Sequence, residues 1–390
     1  MELAEFRAGL DAWLDEHAEE LAPDRSGGDD RSGTELDREM EQLSKVKRLT
    51  FDAGWMRCGW PERVGGTGGS TLCRAYLGEA LTERDLVEPG IASMTEVLAP
   101  TMIDHARPEL AARMVPRLLR GDETWCQGFS EPDTGSNLAA LACRATPSDD
   151  GWRVSGQKVW TSLAQYAQRC VLLVRTGAVE DAHRGITALF VDVVDDDGRT
   201  VPGLTIRPIE TIHGREEFCE VFFDDVLVPA DRTLGEPGAG WGVAMDLLPF
   251  ERSTALWHRG AFLHRRLDQL LRSVGPDAPR TLRPHDLGLA YQQLLSFRAR
   301  SRRTQHRLAD GDRLGPETSV DKILLATTEQ AVFDLAADAL LDEVATGDDD
   351  GAERWRSEYL YSRAATIYGG SAEIQRNIVA RRLLDLGADR

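Results

Sequence analysis

The sequence predicts an α+β chain of three domains, in the order helical, β and helical. Apolar residues recur at helical spacing near the N-terminus, for example at Phe6, Leu10 and Leu14, and the helical period returns after about residue 230. Between these parts, from about residue 123, short β-rich runs alternate with turn signals. We therefore expect domains at residues 1–122, 123–234 and 235–390.

Helices follow one another through the first domain. A second amphipathic run, LDREMEQLSKV at 36–46, comes after a loop rich in Gly, Asp and Ser at 25–34. The glycine-rich run GGTGGS at 65–70 predicts another loop, and the residues at 71–81 predict a helix. One or two more helices are expected between residues 96 and 119.

The central part has the pattern of a β domain. Apolar runs such as VLLV at 171–174, ALFV at 188–191 and VFF at 221–223 predict strands. The runs DDG at 149–151 and DDDG at 195–198 fall between strands, where hairpin turns belong. The second run lacks the alternating carboxylates and the closing Glu of a calcium loop, so it is interpreted as a turn.

The third domain is predicted to be helical. Apolar residues at helical spacing mark one face of a long helix over 256–270, and similar runs follow. A polar loop rich in Gly and Asp is expected at 347–352. The other predicted helices lie at 289–308, 322–341 and 373–386.

Composition excludes several classes of protein. The chain has 390 residues, 42% of them hydrophobic, and a formal net charge of −19, which argues against a nucleic-acid-binding surface. The sequence contains no run of 18 apolar residues, so no transmembrane helix is predicted. The six cysteines form no C-x-x-C pair and are interpreted as reduced thiols. Because the first residues also lack the pattern of a signal or transit peptide, we expect a cytoplasmic protein.

Common catalytic motifs are missing. The eight histidines form no H-E-x-x-H and no cluster with cysteine, so no metal site is expected. The run GFSEP at 128–132 resembles a hydrolase nucleophile elbow, but Pro132 replaces its second Gly. Neither a P-loop nor a Rossmann fingerprint is present.

Three longer motifs carry a family resemblance. WCQGFSEPDTGSN at 125–137, GQKVWTS at 156–162 and IYGGSAEIQRN at 367–377 stand in that order, with FFDDV at 222–226 before the third domain. Together they resemble the acyl-CoA dehydrogenase flavoprotein family, of the bacterial type with its base on the first long helix of the C-terminal domain. The resemblance covers essentially the whole chain. It implies an N-terminal helical domain, a central β-barrel and a C-terminal four-helix bundle.

The resemblance also implies the cofactor FAD and its contacts. A flavin needs a flat apolar wall and hydrogen-bond donors aimed at its ring, where negative charge builds up. Trp160 supplies such a wall, and Ser130 and Ser162 supply donors. The alternative is that Trp160 is a core aromatic residue and that the serines belong to turns. The positions matched to cofactor contacts of the family are Gln127, Phe129, Ser130, Ser136, Trp160, Ser162, Ser371 and Glu373.

The expected reaction is α,β-desaturation of an acyl thioester. A carboxylate removes the α-proton, and the β-hydrogen leaves as hydride to flavin N5. Many members carry this Glu directly after the Tyr of the last motif, where this chain has Gly369. In a subset of the family the base comes from the first long helix of the third domain, at the position of Glu251. The alternative is a surface Glu in the first helical turn after Pro249, stabilised by the helix dipole.

The resemblance implies substrate contacts and partners as well. Ser136, Arg252 and Tyr368 match positions near the substrate, which is an acyl-CoA or acyl-carrier thioester of open chain type. The electron acceptor is expected to be an electron-transfer flavoprotein, and the assembly a dimer, a homotetramer or a mixed tetramer. Two alternatives remain: a flavin oxidase or monooxygenase on the same fold, and a non-catalytic partner subunit of a mixed tetramer.

Two departures from the family pattern concern the subunit contact that completes the FAD site. An Arg-x-x-Phe-Gly element is expected in the third domain, but the matching residues 280–288 contain Arg280 and Arg283 without Phe-Gly. A stretch of the form Gln…Gly-Gly-x-Gly is replaced by residues 342–355. Both departures leave the type of assembly open.

Overall fold

The computed structural model describes residues 2–23, 34–274 and 282–387, and its N-terminal part is helical. The first helix buries Phe6, Leu10 and Leu14, as their spacing predicts. The loop expected at 25–34 lies outside the described residues except for Thr34, which starts the third helix. The helices of this part are α1 (Leu3–Glu16), α2 (Ala18–Leu21), α3 (Glu35–Asp52), α4 (Leu72–Glu83), α5 (Pro89–Ala92), α6 (Met94–His105) and α7 (Pro108–Arg120).

A capping box fixes the start of α3. The Thr34 hydroxyl accepts a hydrogen bond from the Asp37 amide at 3.2 Å, and the Asp37 carboxylate accepts one from the Thr34 amide at 2.6 Å. Two N–H groups at the helix start are satisfied in this way. The Asp37 carboxylate also accepts a hydrogen bond from the Tyr166 hydroxyl at 2.6 Å, which holds the pKa of Asp37 below its usual value.

The middle of the chain forms one eight-stranded sheet. The strands are β1 (Trp125–Gly128), β2 (Arg144–Ser148), β3 (Gly151–Ser162), β4 (Arg169–Arg175), β5 (Ile186–Asp192), β6 (Leu204–Ile209), β7 (Phe218–Pro229) and β8 (Thr233–Leu234). The strand order in the sheet is β6-β7-β3-β2-β4-β5-β8, and β1 pairs in parallel with β4. The run at 195–198 is a turn, because the Gly198 amide donates to the Asp195 carbonyl at 3.0 Å.

Long helices form the C-terminal part. The predicted polar loop at 347–352 is shorter than expected, because Asp349 caps a helix that already begins at Asp350. The predicted last helix is shorter as well, since it ends at Ile378 and a π-helical turn over Val379–Leu383 follows. The helices are α8 (Gly240–Glu251), α9 (Thr254–Val274), α10 (Pro284–Ala309), α11 (Thr318–Ala339), α12 (Leu341–Thr346), α13 (Asp350–Ser362) and α14 (Ala372–Ile378).

Packing divides the chain into two compact units. The first consists of Met1–Leu77, Leu86–Glu210 and Glu216–Phe250, and the second of Gly78–Asp85, Thr211–Arg215 and Glu251–Arg390. The order of helices, sheet and helices confirms the predicted fold class. No helix among the described residues is long and apolar enough to cross a membrane.

Each unit has an apolar core of its own. In the first, α6 and α7 share a core with the sheet. There the rings of Trp125 and Phe190 pack edge to face, with their centres 4.9 Å apart. In the second, buried side chains of α9, α10 and α11 pack together, among them Leu263, Phe297 and Phe333.

Candidate functional site

Several predicted site residues lie in the first unit along the C-terminal half of β3 and the end of β1. We call Gln127, Phe129, Ser130, Lys158, Trp160 and Ser162 the β3 cluster. The Val159 amide donates a hydrogen bond to the Ser130 carbonyl at 3.0 Å, so the residues after β1 lie against β3. The first two motifs are therefore joined in space as well as in sequence.

A buried ion pair holds the β3 cluster in place. Lys158 Nζ donates to the Phe129 carbonyl at 3.0 Å and to Glu131 Oε1 at 2.7 Å. The Glu131 carboxylate also accepts hydrogen bonds from the amides of Ala142 and Cys143, at 2.6 and 2.9 Å. Because a buried charge is costly unless it is paired and hydrogen-bonded, this arrangement fixes the chain on both sides of Ser130. Sequence reasoning missed the pair, although Lys158 is one of only four lysines.

Trp160 has an unusual backbone conformation that exposes its indole. Its φ is +60°, and the pairing of β3 with β7 shifts register between Lys158 and Thr161. The side chain is 57% exposed and touches Phe218 edge to face at 6.1 Å. Bulky residues rarely adopt positive φ, and such strain is concentrated at functional sites. The alternative interpretation of Trp160 as a core aromatic residue is therefore wrong.

Within the first two motifs, three buried side-chain oxygens lack a hydrogen-bond partner among the described residues. They are Gln127 Oε1, Thr134 Oγ1 and Thr161 Oγ1, and the described residues offer none of them a hydrogen bond. An unsatisfied buried polar atom costs about 1–3 kcal/mol, so these three oxygens are available to accept hydrogen bonds from a ligand or from water. Gln127 belongs to the predicted cofactor contacts. The two threonines lie within the quoted motifs but were not singled out from the sequence.

Four of the positions predicted to contact the cofactor lie at or near the ends of strands, turns or helices. Ser162 is the last residue of β3, and Ser136 is exposed beyond the turn in which Glu131 and Thr134 bond to each other. In the second unit, Ser371 caps α14 by accepting a hydrogen bond from the Ile374 amide at 3.4 Å. Glu373 is exposed, and its backbone N–H and the Ser371 hydroxyl hold its pKa below the usual value.

In the second unit, Glu251 reaches the position of Gly369. A Cβ built on Gly369 would lie 2.7 Å from Glu251 Oε1, so the carboxylate fills the space that a side chain there would need. Glu251 is half-buried, and the described residues offer its carboxylate no hydrogen bond. Gly369 has φ of +63°, a conformation that glycine adopts without strain.

The helix that carries Glu251 differs from the prediction. Glu251 is the last residue of α8, and the first long helix, α9, begins only at Thr254. The alternative of a surface Glu in the first helical turn is also wrong, because the residue lies at a C-terminal helix end. There the helix dipole does not favour a negative charge.

Arg252 and Gln375 hold the turn formed by Gly369 and Gly370. Arg252 Nε donates to the Gly369 carbonyl at 3.2 Å, and Gln375 Nε2 donates to the same oxygen at 3.0 Å and to the Gly370 carbonyl at 3.2 Å. Burial lowers the pKa of Arg252, and the charge of Glu251 opposes this shift. Arg252, predicted as a substrate contact, therefore has a backbone partner in this structure.

Several charged side chains, most of them buried, lie next to this turn. Glu329 accepts hydrogen bonds from Arg259 at 2.8 and 3.1 Å and from the Tyr368 hydroxyl at 3.5 Å. Lys322 Nζ donates to the Ala365 carbonyl at 2.7 Å and lies 3.7 Å from the centre of the Tyr368 ring. Burial lowers the pKa of Lys322 to about 8, while the charges of Glu329 and Glu251 oppose the shift. We call Glu251, Arg252, Lys322, Glu329, Tyr368 and Gly369 the Gly369 cluster.

The two departures in the third domain are only partly described. Arg280 lies outside the described residues, and Arg283 is exposed and pairs with Asp286 at 2.6 Å before α10. Residues 342–355 contain most of α12 and the start of α13. Sequence reasoning missed Lys322 and Glu329, and the only signal for Lys322 was the scarcity of lysine.

Solved structures with the same fold include a protein titled as a steroid ACAD and the ChsE4-ChsE5 complex. The protein titled "Tcur3481-Tcur3483 steroid ACAD" matches with a TM-score of 0.81 at 24% identity, over 100% of this chain and 99% of that chain. The ChsE4-ChsE5 complex from Mycobacterium tuberculosis matches with a TM-score of 0.78 at 24% identity, over the whole of both chains. At this level of identity, the matches show the fold alone.

Family models and curated relatives match the sequence itself. The N-terminal, middle and C-terminal domain models of acyl-CoA dehydrogenase match residues 2–122, 126–226 and 238–384. The Mycobacterium tuberculosis protein named acyl-CoA dehydrogenase IpdE1 is 38% identical over 99% of this chain and 98% of its own length. Its namesake from Mycolicibacterium smegmatis is 34% identical over the same shares. The chain therefore belongs to the acyl-CoA dehydrogenase family, whose members are FAD-dependent oxidoreductases.

Proposed function

We propose that Glu251 is the general base with which this acyl-CoA dehydrogenase removes the α-proton of its acyl thioester. The observation that carries the proposal is the 2.7 Å between Glu251 Oε1 and a Cβ built on Gly369, the position at which many members of the family have their Glu. A half-buried carboxylate to which the described residues donate no hydrogen bond is suited to accept a proton from a substrate.

Neighbouring residues support this role by fixing the turn beside the base. Arg252 and Gln375 both donate to the Gly369 carbonyl, so the backbone at this position is held from two sides. General-base catalysis depends on placing the carboxylate within hydrogen-bond reach of the proton it removes. In this proposal Arg252 and Gln375 act on the geometry of the turn, and Glu251 alone exchanges a proton with the substrate.

The residues of the β3 cluster fit the FAD of the family. Bound FAD supplies the acceptor for the hydride that leaves the β-carbon. The exposed indole of Trp160 offers an apolar wall, and Ser130 and Ser162 offer hydroxyl donors. The orphaned oxygens of Gln127 and Thr161, buried and without a partner among the described residues, would gain hydrogen bonds from such a ligand. We also propose Phe129 and Ser136, with Ser371 and Glu373, as cofactor contacts. Ser136, Arg252 and Tyr368 are the proposed substrate contacts.

Trp160→Ala is expected to weaken FAD binding about tenfold or more, because it removes an aromatic wall worth about 0.5–1.5 kcal/mol beyond its buried area. The flavin content after gel filtration and the Kd for FAD of the flavin-free protein measure the effect. Trp160→Phe keeps an aromatic ring and should retain most of the affinity. An unchanged Kd in Trp160→Ala would place the indole away from the flavin.

We propose an electron-transfer flavoprotein as the electron acceptor and an assembly that is either a homo-oligomer or a mixed tetramer. The ChsE4-ChsE5 complex of the same fold and the departures at 280–288 and 342–355 favour the mixed tetramer. The position of Glu251 beside Gly369 favours a catalytic subunit over a non-catalytic one. All six cysteines are buried as free thiols, which supports the cytoplasm as location.

Anaerobic titration of the purified protein with acyl-CoA thioesters tests the proposed reaction. The panel runs from short straight-chain to branched, aromatic and steroid-derived acyl groups, and the visible flavin band is recorded after each addition. Bleaching by one class of thioester is the expected result, and it identifies the acyl group at the same time. A yellow protein that no thioester bleaches and that air reoxidises rapidly after chemical reduction would overturn the proposal in favour of an oxidase or monooxygenase. A protein that is colourless even with added FAD would favour the partner-subunit alternative.

A further inference from the structure

We propose that Lys322 is a positioning residue that keeps the Glu251 carboxylate ionised and fixed beside Gly369. The proposal rests on the role of Glu251 as the base proposed above. It extends that role to a side chain on α11 that none of the sequence motifs contains.

The geometry of Gly369 brings the two side chains together. A Cβ built on this residue would lie 2.7 Å from Glu251 Oε1 and 3.1 Å from Lys322 Cε, so the carboxylate and the end of the lysine side chain approach the same point. Lys322 is only 3% exposed, and its Nζ is anchored by the Ala365 carbonyl and the face of the Tyr368 ring. An ammonium held in this way cannot swing out to water.

Lys322 and Arg252 are the two cations of the Gly369 cluster that hydrogen-bond to backbone carbonyls, and the described residues pair neither of them directly with a carboxylate. Arg259 donates two hydrogen bonds to the Glu329 carboxylate, and Arg252 donates one to the Gly369 carbonyl. Within the described residues, Lys322 has no carboxylate at ion-pairing distance, and its charge interacts with Glu251 and Glu329 from further away. The charged and titratable groups around it are Glu251, Arg252, Arg259, Glu329, Tyr361 and Tyr368.

The physical role follows from the surroundings of the base. A carboxylate removed from water tends to take up a proton, and a protonated Glu251 cannot act as a base. A nearby cation opposes this protonation, since it favours the charged form of the carboxylate. Lys322 remains mostly protonated up to about pH 8, so its charge is present throughout the neutral range. Its effect on the reaction is therefore to extend activity towards lower pH.

The test compares the pH dependence of the first step in Lys322 variants and the wild type. The first-order rate of flavin bleaching by a saturating thioester is recorded from pH 5 to 9 for the wild type, Lys322→Met, Lys322→Gln and Lys322→Arg. We expect the acidic limb of the profile to move to higher pH by about one unit in the Met and Gln variants, because a neighbouring charge has an effect of this size. Lys322→Arg, which keeps the cation, should leave the limb in place, and Lys322→Gln serves if the Met variant does not fold.

A second measurement needs neither flavin nor substrate. Thermal unfolding of the flavin-free protein is followed between pH 8 and 10.5. In the wild type, the unfolded chain holds the Lys322 proton up to about pH 10.5, whereas the folded chain releases it near pH 8. Unfolding therefore takes up a proton at Lys322 in this range, and the contribution of Lys322 to the stability of the wild type rises with pH. This contribution should be lost in Lys322→Met and retained in Lys45→Met, a lysine replaced outside the cluster.

The outcomes separate this proposal from the proposed function. If replacement of Glu251 leaves the bleaching rate unchanged, Glu251 is not the base and both proposals fail. If Glu251→Gln abolishes bleaching but the acidic limb stays in place in Lys322→Met and Lys322→Gln, only the role of Lys322 is overturned. A purely structural role would lower the unfolding temperature of both variants without moving the limb.

Discussion

Glu251→Gln is expected to slow flavin bleaching by a saturating acyl thioester by about 10²–10⁴-fold, the usual contribution of a positioned base. The amide has nearly the shape of the carboxylate but does not accept the α-proton. Because Glu251 is not among the proposed FAD contacts, the variant should bind FAD as tightly as the wild type. Anaerobic stopped-flow recording of the flavin band gives the rate, and the flavin content of the purified variant gives the occupancy.

Asp246→Asn is the matched control for this experiment. Asp246 lies on the same helix, α8, and its carboxylate lies 3.2 Å from His105 Nε2. The control should bleach at the wild-type rate. A Glu251→Gln variant that also bleaches at the wild-type rate would mean that another carboxylate is the base.

Local sequence patterns predicted the elements of the fold well. Apolar spacing predicted α1, and turn residues predicted the hairpin between β2 and β3. These features depend on residues close in sequence, so they can be deduced without the rest of the chain. The positive φ of Trp160 is different, because it depends on a shift in pairing with β7, about 60 residues further along.

The Gly369 cluster was predictable only in part. The family resemblance led to Glu251 through the absence of a Glu at Gly369, and the structure brings these two residues together. Nothing in the spacing of the sequence connects Lys322 or Glu329 with them, because two helices, α8 and α11, and a turn must pack before the four residues meet. The end of α8 at Glu251 was missed for a similar reason, since Arg252 turns inward to the Gly369 carbonyl.

Gly369→Ala is expected to slow flavin bleaching by about 10²-fold, because a shift of the base by about 1 Å has an effect of this size. The new methyl group would stand 2.7 Å from Glu251 Oε1 and 3.1 Å from Lys322 Cε, so the carboxylate must move away. The positive φ of Gly369 adds a cost of about 1–2 kcal/mol for any side chain. Thermal unfolding separates this loss of stability from the loss of rate, and a wild-type rate in a folded Gly369→Ala protein would contradict the position of Glu251.

Transferring the carboxylate from position 251 to position 369 tests the same geometry by restoring a base rather than by removing one. Glu251→Ala removes the base and should bleach as slowly as Glu251→Gln. When Gly369→Glu is added to Glu251→Ala, a carboxylate returns to the region that Glu251 occupied, now attached to the turn that Arg252 and Gln375 hold. We expect the double variant to bleach at least about tenfold faster than Glu251→Ala, since a base with imperfect placement still contributes to the rate. Gly369→Gln in the same background supplies the shape without the charge and should give no recovery. Equal rates for the Glu and Gln double variants would mean that a carboxylate at this point does not remove the α-proton.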